Sequence, residues 1–94
     1  MIYELAQSHR FKKSFKKILR SGRFDVEKYN KIISSLVKGV ALSSQYNDHS
    51  LQGEFLTYRE CHIESDILLI YRTNKQINSL TLVDIGSHSY LFGR

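Results

Sequence analysis

Four histidines stand in the chain, His9, His49, His62 and His88, and the last three lie in its second half beside polar or turn-forming residues. An imidazole has an unperturbed pKa of ~6.5, so it both takes and gives protons near neutrality. Asp66 follows His62 by four residues, across a predicted turn. On a sheet, such positions can converge at one end of adjacent strands. A lone strand-end histidine is ordinarily a hydrogen-bonding surface residue. Three of them with a carboxylate, in one half of a 94-residue basic chain, point toward a site.

Other chemistries find less support. His62, Asp66, His88 and Cys61 are acceptable zinc ligand types, but neither H-E-x-x-H nor C-x-x-C occurs. Cys61 and His62 are strand neighbours, so they point to opposite faces. No metal and no cofactor is therefore expected. Cys61 alternates with apolar residues and reads as a buried small hydrophobe. No G-x-S-x-G elbow and no glycine-rich phosphate cradle is present. Tyr46, Tyr58 and Tyr90 offer stacking surfaces.

Charge narrows the substrate. Lys+Arg is 14 against 9 for Asp+Glu, a net charge of +5, with an isoelectric point near 9.5. Seven of the bases, Arg10, Lys12, Lys13, Lys16, Lys17, Arg20 and Arg23, fall within fourteen residues that hold no acid. Such a field attracts a polyanion or an acidic partner. Residues 48–92, by contrast, hold three bases (Arg59, Arg72, Lys75) and six acids. The positive field therefore comes from the first half. Lys12, Lys13, Lys16, Lys17 and Arg20 are the expected docking residues for RNA or an acidic protein.

Composition sets the class. With 41% hydrophobic and 24% charged residues the chain is globular rather than disordered. One domain over residues 1–94 is expected. A single cysteine excludes an internal disulfide. The longest apolar run, Ile67 to Tyr71, is far too short to cross a bilayer, and residues 1–20 carry bases instead of a signal core. The expected setting is cytoplasmic, without a membrane partner.

Basic character, imidazoles, aromatics and no metal motif fit metal-independent RNA cleavage. The ribose 2′-OH is then the nucleophile. The protein removes its proton, protonates the departing 5′-oxygen and stabilises the crowded phosphate. The products are a 2′,3′-cyclic phosphate and a 5′-hydroxyl.

The elements that position these residues follow from periodicity. Residues 2–6 form a short strand. Ser8 caps a helix whose stripe is Phe11, Phe15, Ile18 and Leu19, ending at Ser21-Gly22. A second helix over about 25–38 is capped by Asp25 and stops at Gly39, with Val26, Tyr29, Ile33, Leu36, Val37 and Val40 recurring at helical spacing. The two form an antiparallel helical hairpin. Residues 43–53 are polar and turn-prone, hence a loop. Strands are expected from Glu54 to Glu64, over 67–72 and over 77–85, with a short last strand or turn at 87–92. Short links favour antiparallel pairing. The fold class is α+β: an N-terminal strand and a helical hairpin packed on a mainly antiparallel sheet.

Three ordered motifs carry a resemblance. Asp48-His49-Ser50-Leu51-Gln52-Gly53 resembles a D-H-x-L-x-G element. The segment from Tyr58-Arg59-Glu60-Cys61-His62 through Asp66 to Tyr71 resembles Y-R-[DE]-x-H-[IV]-x-P-D-x-[IL]-L-[IV]-Y. Gly86-Ser87-His88-Ser89-Tyr90-Leu91-Phe92 resembles G-[ST]-H-x-x-L-F. All three belong to YafQ-type toxins of the RelE/ParE superfamily, and the helical half agrees in length and pattern. The resemblance implies a RelE-like fold and the toxin of a type II toxin–antitoxin module. It implies an mRNA interferase, an endoribonuclease acting without metal on mRNA in the ribosomal A site. It also implies a DinJ/RelB-type antitoxin that reaches operator DNA with the toxin bound, so the toxin contacts that DNA only indirectly.

Position by position, the family's catalytic residues match His49, His62, Asp66 and His88, and its C-terminal aromatic matches Phe92. His88 is the expected general acid. Asp66, His49 or His62 is the base. Phe92 is expected to stack on a base of the substrate, and Arg59 either touches phosphate or forms a structural salt bridge. Two departures stand out. Asp84 occupies the place, two before Gly86, where family members often carry a base. Ile67 and Ser65 replace the frequent Trp and Pro. Alternative functions are a ParE-like non-nuclease toxin and a basic RNA- or ribosome-binding module without cleavage activity.

Overall fold

The structure, a computed structural model, describes residues 2–51 and 57–93. The element order is β1 (Glu4–Gln7), α1 (His9–Arg20), α2 (Val26–Val37), a single 3₁₀ turn at Ser44–Tyr46, β2 (His49–Ser50), β3 (Arg59–Glu64), β4 (Ile67–Asn74), β5 (Ser79–Gly86) and α3 (His88–Phe92). The five strands make one sheet in the order β1-β5-β4-β3-β2. All neighbours are antiparallel except β1, which lies parallel to β5 at the edge. The expected α+β class with a mainly antiparallel sheet is thus observed.

Both long helices start as their caps dictate. The Ser8 Oγ accepts from the Phe11 N–H at 2.9 Å, and Asp25 Oδ1 accepts from the Lys28 N–H at 3.1 Å. Gly22 and Gly39 follow the helix ends with φ near 71° and 72°, a left-handed conformation that a side chain would resist. The apolar stripes meet the sheet in part: Leu19, Val26 and Val40, expected in them, are exposed, and Ile32, not expected, is buried. Phe11, Tyr29, Ile32 and Leu36 form one buried cluster with Cys61, Ile63, Leu69, Tyr71, Leu80, Leu82 and Ile85. Phe15 joins the helices, its ring 4.8 Å from that of Tyr29.

Three expectations change. Residues 88–92 are a helix, not a strand or turn, because the Ser87 Oγ accepts from the Tyr90 N–H at 3.1 Å and Tyr90 docks on α1. His49 and Ser50, expected in a loop, pair with Glu60 and Arg59 as a two-residue strand. The third long strand begins at Ser79 rather than 77. β4 runs on to Asn74, and the turn is completed by Asn78 at φ 50°. The expected strand start at residues 54–56 and the end of the loop at 52–53 lie outside the described residues.

The sheet therefore has two faces. Leu80, Leu82 and Ile85 on β5, with Leu69 and Tyr71 on β4, meet the helices. The other face carries a continuous cross-strand row: His49 opposite Glu60, Glu60 opposite Ile70, Ile70 opposite Asp84. The next row is His62 opposite Leu68 opposite Gly86. Paired residues of an antiparallel ladder share a face. These two rows hold most of the chemistry.

Candidate active site

His49 comes from β2 and His62 from β3, and the pairing of the two strands brings both to Glu60. The His49 Nε2 lies 3.5 Å from Glu60 Oε1 and the His62 Nε2 lies 3.7 Å from the same oxygen. Glu60 is buried, whereas His49 is exposed and His62 half-buried. The buried carboxylate thus has an imidazole on either side, each close enough for a charge contact but not hydrogen-bonded. The His49 Nδ1 is also within 2.7 Å of the Asn47 carbonyl oxygen, which fixes the ring from its other side. Glu60 did not appear among the expected site residues. Its signal was present in the sequence: two residues before His62 on a strand is the same face.

His88 opens α3 directly after the Gly86 end of the second row. Its ring lies 4.9 Å from that of Phe92, tilted by 47°, as i and i+4 positions of a helix allow. The helix itself is held from below. The Tyr90 hydroxyl and the Ser14 hydroxyl are 2.8 Å apart, and the Lys17 Nζ lies 5.6 Å from the Tyr90 ring centre. A Cβ at position 86 would stand 2.5 Å from Tyr90 Cδ2, so Gly86 is required for this docking. His88 and Phe92 thus sit on a clamped helix instead of a free tail.

Asp66 takes a different place. It is exposed in the β3–β4 turn and lines a cavity of about 460 Å³ with Lys17, Arg23, Glu64, Ser87 and Tyr90. His49, His62 and His88 do not line that cavity. The structure brings two of the expected histidines together around Glu60, and sets Asp66 and His88 at the end of the sheet where β3–β4 and β5–α3 turn.

Arg59 points the other way, as its strand parity requires. Its Nε lies 3.2 Å from Asp48 Oδ1 and its Nη1 donates to the Ser50 Oγ at 3.0 Å. The Tyr71 hydroxyl donates to the same Asp48 oxygen at 2.6 Å. Burial alone would lower the Arg59 pKa, but its hydrogen bonds to Tyr71 and Asp48 overcome this and raise it. Burial raises the Tyr71 pKa, and the Asp48 bond adds to the effect. The three form a brace that ties the segment before β2 to β3 and β4. Of the two roles expected for Arg59, the structure displays the salt bridge.

Cys61 is a free, fully buried thiol. Burial first, then the charges of Asp48 and Glu60, push its pKa from an ordinary 9.0 to about 12. It is a core residue with no nucleophilic character. Among the described residues no group of three or more His, Cys, Asp and Glu is arranged to hold a metal ion. Lys12, Lys13, Lys16, Lys17 and Arg20 are all exposed on α1.

Comparison with known proteins gives the family and the fold. The family model described as "Bacterial toxin of type II toxin-antitoxin system, YafQ" matches residues 3–93. The mRNA interferase toxin YafQ of Escherichia coli K12 is 32% identical over 78 residues, which cover 82% of this chain and 83% of that protein. A copper-bound mutant toxin from Helicobacter pylori superposes with a TM-score of 0.90 at 39% identity, covering 98% of this chain and 100% of the other. YafQ in the E. coli DinJ–YafQ complex superposes with a TM-score of 0.84 at 29% identity, covering 97% and 99%. The chain belongs to the YafQ family of bacterial toxins of type II toxin–antitoxin systems.

Proposed function

We propose that this toxin is a metal-independent endoribonuclease that cuts translated mRNA on the ribosome by attack of a 2′-OH on the adjacent phosphate. The observation that carries the reading is the convergence of His49 and His62 on the buried Glu60 carboxylate. An imidazole beside a carboxylate is a base suited to a 2′-OH. The relatives named mRNA interferase toxins support the same reading.

In this mechanism His62, whose Nε2 faces Glu60, takes the 2′-OH proton; Asp66 is another candidate base, and so is His49 once its Nδ1 leaves the Asn47 carbonyl. His88 protonates the departing 5′-oxygen. Phe92, its ring tilted against that of His88, supplies an aromatic face for a base of the substrate. The bond formed is 2′-O to phosphorus and the bond broken is phosphorus to 5′-O. The ends are therefore a 2′,3′-cyclic phosphate and a 5′-hydroxyl. The basic face of α1 docks on ribosomal RNA or on the antitoxin. The antitoxin is of the DinJ/RelB kind, as the DinJ complex of E. coli YafQ suggests, and any operator DNA is reached through it. The setting is cytoplasmic.

Induced expression of the chain should arrest growth and yield codon-phased cuts in translated mRNA. Growth arrest without mRNA cuts would favour a non-nuclease toxin, and salt-sensitive ribosome binding with neither would favour a plain binding module.

A further inference from the structure

The cross-strand row that begins at His49 does not end at Asp84. Arg10, in the first turn of α1, places its Nε 2.9 Å from Asp84 Oδ2. The Asp84 side chain is only 7% exposed, while that of Arg10 is 69% exposed. The other Asp84 oxygen accepts from the Ile85 N–H at 2.8 Å. Both carboxylate oxygens are thus committed, and one is aimed at Arg10. The start of α1 is pinned at the same point. The Ser8 Oγ donates to the Val83 carbonyl at 2.6 Å, and the Ser8 N–H donates to the Leu82 carbonyl at 2.9 Å.

Burying a carboxylate is costly unless it is paired, and a surface ion pair with one long side chain returns little stability. What the arrangement does deliver is a guanidinium held in one place. Arginine has five N–H donors in a fixed fork. The Arg10 Nε faces Asp84 in an ion pair, and its N–H groups have no hydrogen-bond partner among the described residues. Its contact residue, Asp84, belongs to the sheet face that carries Glu60. Glu60 and Asp84 are two strand spacings apart, about 10 Å. That face also carries the exposed Arg72, whose guanidinium carbon lies 5.7 Å from the Tyr58 ring centre. Arg72 stands two residues beyond Ile70, however, further from the Gly86 end than Asp84, and Asp84 itself adds negative charge. Phosphodiester cleavage needs a cation for the charge that grows on the phosphate oxygens.

We propose that Arg10 is the phosphate-binding cation of this site, and that Asp84 is its positioning residue. The inference rests on the ribonuclease reading above and adds to it a residue from outside the motif-bearing half of the chain. Holding the side chain in advance lowers the ordering entropy lost when RNA binds.

The test removes both charges, so that no buried carboxylate is left unpaired. The Arg10→Ala/Asp84→Asn variant is compared with the wild-type protein in two assays: cleavage of translated mRNA, and binding of a single-stranded RNA whose 2′-OH groups are methylated. The expected result is a loss of cleavage of at least about tenfold with an unchanged melting temperature. The slope of log affinity against log salt should fall by about 0.7, the contribution of one phosphate contact on a single strand. Wild-type cleavage together with an unchanged slope would overturn the assignment and leave the ribonuclease reading standing. A reduced slope in a protein whose wild type cuts no mRNA would overturn the reading of the reaction and keep Arg10 as a phosphate contact.

Discussion

The His62 imidazole and the Glu60 carboxylate face each other across 3.7 Å from alternate positions of one strand. The carboxylate is shared, since His49 reaches the same oxygen from β2. Glu60→Gln keeps the shape and removes the charge that both rings face. It should lower the cleavage rate by about 10². Adding His62→Ala to Glu60→Gln should cost much less than the product of the two single effects, because residues that act as a unit are not additive. Single-turnover cleavage by the four proteins measures this. Independent, multiplicative losses would separate Glu60 from His62.

His88 is exposed at the start of α3, and the helix is anchored by Tyr90 and Ser87 rather than by the imidazole. His88→Ala should therefore abolish mRNA cleavage and toxicity while changing stability by no more than about 0.5 kcal/mol. Urea unfolding beside an expression assay decides it. A variant that retains full toxicity would remove His88 from the mechanism.

Much of this arrangement was readable before the structure. Helix starts were legible at Ser8 and Asp25 because each cap is a local side-chain to backbone bond. Strand parity correctly set Cys61 and Arg59 against His62. What escaped were features made by pairing between distant segments. Two residues at 49–50 carry no strand period of their own, and only β3 makes them a strand. The gathering of His49 around Glu60 and of Arg10 around Asp84 depends on which strands are neighbours. Residues 88–92 are too few for helical periodicity to show, and their helix depends on the Ser87 cap and on Tyr90 meeting Ser14, which is 76 positions away.

The buried thiol predicts an alkaline weakness. The Cys61 pKa is raised from 9.0 to about 12 in the folded protein. Below pH 9 both states keep the proton and the thiol adds no pH dependence. Between about pH 9 and 12 the unfolded chain releases it and the folded chain does not, so stability falls as pH rises. The slope from this group is about 1.4 kcal/mol per pH unit. Urea unfolding of the wild type at pH 8 and pH 10.5 should show the loss, and Cys61→Ala should reduce it. Tyr29, raised from 10.0 to about 12 by burial, keeps part of the dependence at the upper end.

The exposed bases of α1 predict a separation of binding from cutting. Changing Lys12, Lys13 and Lys16 to Glu leaves both the buried Phe11 stripe and the Lys17 contact with Tyr90 intact. Ribosome association should weaken by at least about tenfold and lose most of its salt dependence, while the far-ultraviolet circular dichroism spectrum stays as in the wild type. An unchanged salt-dependent affinity for ribosomes would place the docking surface elsewhere.

The central claim is that the substrate's own 2′-OH is the nucleophile. The most direct measurement is cleavage of a ribosome-bound mRNA carrying a single 2′-deoxy nucleotide immediately 5′ of the scissile phosphate. Cleavage at that bond should disappear, while the matching all-ribose mRNA yields a 2′,3′-cyclic phosphate and a 5′-hydroxyl end. Cutting of the deoxy-substituted bond at the normal rate would contradict the account.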